Sequence, residues 1–261
     1  MGTTRTDYAA DFEVPDLLQQ DLTTTLTCPV IRDAARASVT SGTITIYRRD
    51  RTKFVDAGDV VVTTPTLPSY EVTSAALSDE AVEAGWEAEW TLVISGETHV
   101  FQNEVQVVLR APHPPISDHM LTDRYTKLGR ALAGTGETSF QRWIDLAWVG
   151  LQRWLISLGN RPALIVRSYE LIELHTAWSM WIIFDDNAHL ADPEGQWEAR
   201  RKSWFDHLEH LKGTTSFTYD SDDDGDPDIE RRASQPVTWI GSPGPIGGHA
   251  FTHDPDPWGY P

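Results

Sequence analysis

Five of the six aspartates between Tyr219 and Glu230, in the stretch YDSDDDGDPDIE, carry the clearest chemical spacing in the chain. Asp220, Asp222, Asp224 and Asp228 fall at positions 1, 3, 5 and 9 of a loop whose sixth residue is Gly225, and Asp226 at position 7 would offer its backbone carbonyl. A hard cation takes six to eight oxygens, alternate carboxylates converge when the chain curls around it, and the sharp turn at the sixth position favours glycine. Calcium is therefore the expected ion. The segment holds seven acids and no base. Without a cation, carboxylates about 6 Å apart would repel by roughly 2 to 3 kcal/mol per pair at an effective dielectric near 20. The loop departs from an EF-hand at position 12, which is Arg231 with Glu230 one place early, and at position 8, which is Pro227. The competing reading is a solvated acidic linker.

Other chemistry is thin. His207 and His210 lie at i and i+3 beside Glu209, whereas zinc-protease patterns need two histidines at i and i+4; a solvated helix face is the expected role. His175 lies among Leu171, Ile172, Trp178 and Ser179 and reads as a hydrogen-bonded core histidine. The GTGET run at 134–138 lacks the lysine of a phosphate loop, and Cys28 is the single cysteine, so an intrachain disulfide is impossible. No active site is expected, and the chain reads as a non-enzyme.

The 261 residues exceed what one small core needs, so two compact units and a tail are the natural division. A net charge of −18 argues against groove-type nucleic-acid binding, because such a surface repels phosphate. The start, MGTTRTDYAADFEVPD, has no apolar core of a secretion signal, and no run approaches a membrane span. An intracellular or virion-assembled protein is the expectation.

Residues 1–19 read as an N-terminal arm and 20–112 as a small antiparallel β-sandwich of the immunoglobulin-like kind. TSGTITIYRRD, DVVVTT, YEVTSA, WEAEWTLVISG and HVFQNEVQVVL supply the strands, with a hairpin turn expected at Gly96-Glu97 and a short helix over Leu77–Gly85. The linker APHPP, with three prolines in five residues, marks the boundary. Four helices are expected over 116–231. Leu121, Tyr125, Leu128 and Leu132 define the first, and the second follows a Thr138-x-x-Gln141 capping box. The third starts at Pro162 and runs to about Asp185, and the fourth carries Trp197, Trp204, Phe205, Leu208 and Leu211 and leads into the acidic loop. Most tryptophans sit at helical spacing and read as core, with some of that aromatic area left for another chain. Residues 232–261, rich in proline, are expected to be an extended C-terminal arm in which Val237, Trp239, Ile240, Phe251 and Trp258 are candidate anchors for a partner.

The order LTDRYTKLGRAL, FQRWIDLAWVGLQRWLISLG, RPALIVRSYELIELHTAWSMWIIFDDN and WFDHLEHLKGTTSFTYDSDDDGDPDIERR resembles the head-tail connector, or adaptor, proteins of tailed bacteriophages. The resemblance covers about 117–240. It implies an α+β chain in which a four-helix adaptor domain follows the sandwich. It also implies a twelve-membered ring beneath the portal, assembled in the host cytoplasm and resident in the virion, with DNA passing through its channel without specific binding. The portal protein and tail, stopper or nozzle proteins would be its partners, with capsid contact through the sandwich and no membrane. Two other readings stand beside it: a calcium-dependent adhesion or carbohydrate-binding module, and a metal-dependent enzyme on the helical half.

Overall fold

The structure is a computed structural model that describes residues 8–33, 35–64, 67–125, 128, 137–187, 196–220 and 226–232. It is a mixed α+β fold with several sheets and, among the described residues, five α-helices. The first half carries strands β1 (Ala9–Ala10), β2 (Asp16–Gln19), β3 (Thr24–Thr27), β4 (Val30–Arg32), β5 (Ala35–Arg36), β6 (Val39–Tyr47), β7 (Lys53–Asp59), β8 (Val61–Thr64) and β9 (Leu67–Val72). Helix α1 (Ser74–Leu77) and strands β10 (Trp86–Ile94) and β11 (Glu97–Val108) complete it. A five-stranded sheet has the order β2-β11-β10-β6-β7, and two three-stranded sheets have the orders β3-β9-β8 and β1-β4-β5.

Strand β10 shows why this half folds. Its residues alternate, so Trp86, Ala88, Trp90, Leu92 and Ile94 all point to one face and are buried. They meet Leu26 of β3, Ile44 and Ile46 of β6 and Val72 of β9 in one core. Gly42 is required beside them, because a Cβ there would lie 2.5 Å from Leu92 Cδ2 and 2.8 Å from the Thr91 carbonyl oxygen. The β10–β11 hairpin turns at Ser95-Gly96, both with positive φ (54° and 83°), so that Ile94 pairs with Glu97. The turn thus falls one residue before the expected Gly96-Glu97.

Two other boundaries in this half move. Residues 8–19 do not stand apart as an arm: β2 pairs in parallel with β11, Leu18 is fully buried, and Tyr8 and Phe12 pack on the same core. The short helix is Ser74–Leu77, ahead of the expected Leu77–Gly85, and it buries Leu77. Glu80 then accepts a bidentate contact from Arg48, with Nε at 2.7 Å, which holds 78–85 as an irregular connection.

The proline-bearing linker has no regular structure over 109–117, and helices follow it: α2 (Asp118–Arg124), α3 (Gln141–Ser157), α4 (Ile172–Asp186) and α5 (Gln196–Thr214). The first is shorter than its periodicity suggests. Tyr125 leaves helical angles (φ −125°, ψ 69°), and its ring meets Trp204 of α5 edge-on at 5.6 Å. At the start of α3 the Thr138 capping box is not used. Instead Asp118 Oδ1, from α2, accepts the Phe140 N–H at 2.5 Å. Helix α4 lies between α3 and α5 and buries Leu174, His175, Ala177, Met180, Ile183 and Phe184.

The expected third helix is broken. Pro162–Leu164 and Ser168–Leu171 are 3-10 turns, and between them Ile165 bridges Tyr219 while the Val166 N–H donates to the Thr218 carbonyl at 3.1 Å. Two β-branched residues are thereby paired to a strand whose position in sequence is some fifty residues away. That strand is β12 (Ser216–Tyr219), which pairs antiparallel with β13 (Ile229–Arg232).

Candidate functional site

The acidic segment is the connection of a β-hairpin. Helix α5 ends at Thr214 and β12 intervenes before Asp220, so the loop does not leave the helix directly. Its root is closed on both sides. Asp228 N–H donates to the Tyr219 carbonyl at 3.1 Å, and Asp220 N–H donates to the Leu164 carbonyl at 2.9 Å. Glu170, in the second 3-10 turn, takes the outward N–H of Thr218 at 2.5 Å and its hydroxyl at 2.8 Å. A carboxylate thus continues the acceptor row where the 164–166 backbone ends.

Of the five proposed ligands, Asp220 is buried at the root, only 4% exposed, whereas Asp226 and Asp228 are exposed. Asp222 and Asp224 lie outside the described residues. Asp220 and Asp226 line a cavity of about 460 Å³ that also meets Asp21, Arg110, His113 and Ser168. The fold therefore adds to the loop what its own sequence lacks, since Arg110 faces the same space and Arg161 is anchored nearby, its backbone N–H donating to Tyr219 Oη at 3.1 Å. Among the described residues, no three His, Cys, Asp or Glu side chains converge in a metal-holding group. What the described geometry presents is an oxygen-rich loop root beside a polar cavity.

The histidines divide as their contexts suggest. His175 is fully buried, its Nε2 lies 2.9 Å from the Ile144 carbonyl, and it sits 5.4 Å from the Trp148 ring. Burial pushes its pKa down to about 4. His207 and His210 are exposed on α5, with the ring of His207 against Trp204 at 5.7 Å. Cys28 is buried in the strand core, and burial raises its thiol to about 12, which makes it inert.

The aromatic residues are only partly spent on the core. Trp86, Trp90 and Trp143 are buried, and the Trp143 indole N–H reaches Asp186 at 2.9 Å. Trp154 and Trp178 lie 6.4 Å apart with Lys212 Nζ 4.6 Å above the Trp178 ring. Trp181 meets Phe205 at 5.9 Å, and Phe205 remains 43% exposed. The anchor residues Val237, Trp239, Ile240, Phe251 and Trp258 lie outside the described residues.

One polar chain carried no sequence signal. The Trp90 indole donates to Asn103 Oδ1 at 3.2 Å, and Asn103 Nδ2 donates to Asp16 Oδ2 at 2.6 Å. Desolvation raises the Asp16 carboxyl to about 6, against the lowering effect of the Asn103 bond. Its partners are 87 residues away and across a parallel pairing, beyond any local pattern. Comparison of the chain with known protein families, with curated proteins and with solved structures returns no match.

Proposed function

We propose that the chain is a structural virion protein, a head-tail adaptor that forms a twelve-membered ring under the portal, joins capsid to tail and continues the DNA channel. The observation that carries this reading is the order of its parts. A strand-rich region, read as an immunoglobulin-like sandwich, is followed by α2 to α5, read as the four-helix adaptor domain, and then by the acidic hairpin loop and the arm from 232.

Two properties support it. The aromatic pairs on α4 and α5 stay partly open, as Phe205 does, which suits helices that meet a neighbouring subunit. A net charge of −18 suits a channel past which DNA must move, since each Lys or Arg contact to phosphate adds salt-sensitive affinity. The strand region would face outward toward capsid or neighbouring subunits. Calcium at Asp220, Asp222, Asp224, Asp228 and the Asp226 carbonyl would stiffen the loop within the ring. Val237, Trp239, Ile240, Phe251 and Trp258 would anchor the arm on the portal or on the next subunit, ordering only on assembly.

The experiment is attachment. The full chain, mixed with portal-bearing heads that lack an adaptor, should co-sediment with them, and a chain truncated after Arg232 should stay behind. Attachment of the truncated chain would remove the arm from the account; failure of the full chain to attach would remove the adaptor reading.

A further inference from the structure

A second cavity, of about 250 Å³, opens between the first strands and α3. Leu17, Trp148, Ile156 and Pro162 contribute apolar wall, and Asp16, Gln106 and Gln152 contribute polar groups. Among the described residues that line it there is no Lys, Arg or His.

Two of the three polar groups are held in place by hydrogen bonds. Asp16 Oδ2 is fixed by Asn103 at 2.6 Å, and Asn103 is fixed in turn by Trp90. Among the described residues, none donates to Asp16 Oδ1. Gln106 commits its amide N–H to Glu104 at 3.1 Å, leaving its carbonyl oxygen as an acceptor. Gln152 is only 8% exposed, and among the described residues its side-chain amide has no hydrogen-bond partner. The neighbouring Arg153 does not line the cavity; its Nε donates to the Glu13 carbonyl at 2.7 Å. A half-buried carboxylate and two buried amides, with no cation among the described lining residues, offer acceptors and negative charge to a donor from outside.

We infer that this cavity binds an alkyl cation, a guanidinium or ammonium head on a short hydrocarbon stem, with Asp16 as counter-ion and Trp148 and Ile156 along the stem. The volume lies below the roughly 300–1,000 Å³ of pockets for drug-sized ligands, which suits a group the size of one basic side chain. Gln152 and Gln106 supply acceptors that a planar guanidinium can use together with the carboxylate. The inference stands apart from the virion reading, because it rests on this cavity alone. The source of the cation is either a free small molecule or an arginine presented by another chain.

The test uses the full chain and two probes, n-butylguanidinium and doubly capped arginine, with neutral n-butylurea as control. The Trp148 indole N–H resonance reports occupancy. Saturable shifts with butylguanidinium and none with butylurea are expected. Because Asp16 titrates near 6, affinity at pH 5 should be about tenfold weaker than at pH 7, following the fraction ionised. Asp16→Asn, which keeps an acceptor for Asn103, should abolish the shift; should that variant fail to fold, the pH series on the native chain decides alone. Binding of butylguanidinium with exclusion of capped arginine assigns a free cation, and binding of both admits an arginine side chain. Absence of saturation, equal binding of butylurea, or equal affinity at the two pH values overturns the inference.

Discussion

Replacing Glu170 should loosen the acidic hairpin from the helical body. Its carboxylate, about four-fifths shielded from solvent, accepts the Thr218 N–H at 2.5 Å and the Thr218 hydroxyl at 2.8 Å. Hydrogen bonds to a charged group contribute about 1.5–3 kcal/mol each, but the two end on the two oxygens of one carboxylate, so they are not independent, and water can partly replace them. Glu170→Ala should therefore cost about 2–3 kcal/mol, while the Arg167 contact at 3.9 Å, with Arg167 half exposed, adds about 0.5 kcal/mol at most. Glu170→Gln keeps an acceptor for the backbone N–H and should cost about 1 kcal/mol. Urea unfolding followed by tryptophan fluorescence gives the global value, and amide exchange at Thr218 and Asp220 gives the local one. If Glu170→Ala stays within about 0.5 kcal/mol of the native chain and Thr218 remains equally protected, the carboxylate is not the pin that closes the loop root.

His175 gives a pH dependence. Its folded pKa of about 4 lies below the ordinary 6.5, so its contribution is fully present above pH 6.5 and is lost as pH falls toward 4, by about 3 kcal/mol in all. His175→Gln should flatten that limb in denaturation measured from pH 7 to 4. The Arg48 guanidinium lies 5.3 Å from the Phe54 ring and 5.7 Å from the Trp86 ring while it grips Glu80, so Arg48→Lys should cost about 1–2 kcal/mol in thermal unfolding. Calorimetry with calcium and with magnesium should show heat for calcium alone, and Asp220→Asn should diminish it; equal, negligible heats for both ions would leave an acidic linker at 220–228.

The elements legible in the sequence were those whose pattern and partner are local. The strict alternation of WEAEWTLVI makes β10 a strand before any partner is known, and the Trp143, Ile144, Ala147, Leu151 and Leu155 stripe makes α3 a helix. What could not be read depends on distant chain. Strand β2 is four residues long and is a strand only because β11 lies parallel beside it. The third helix breaks because Ile165 and Val166 are paired to β12, a tertiary contact that outweighs helical periodicity. Asp118 closes the start of α3 from 22 residues away, where the local Thr138 box looked sufficient. At the candidate site, the aspartate spacing was visible, but the hairpin framing, Glu170 and Arg110 were not, since each arrives from another part of the fold. Asp16 and Gln152 gave no signal because an isolated acid or amide in a short segment looks like surface.

The proposed ring assembly on a portal is tested by the mass of the complex. Native mass spectrometry of the full chain mixed with a purified cognate portal ring should show twelve copies bound per portal dodecamer, at 29.3 kDa each. A portal mass unchanged by excess protein, or binding of one or two copies without closure into a ring, would contradict the account.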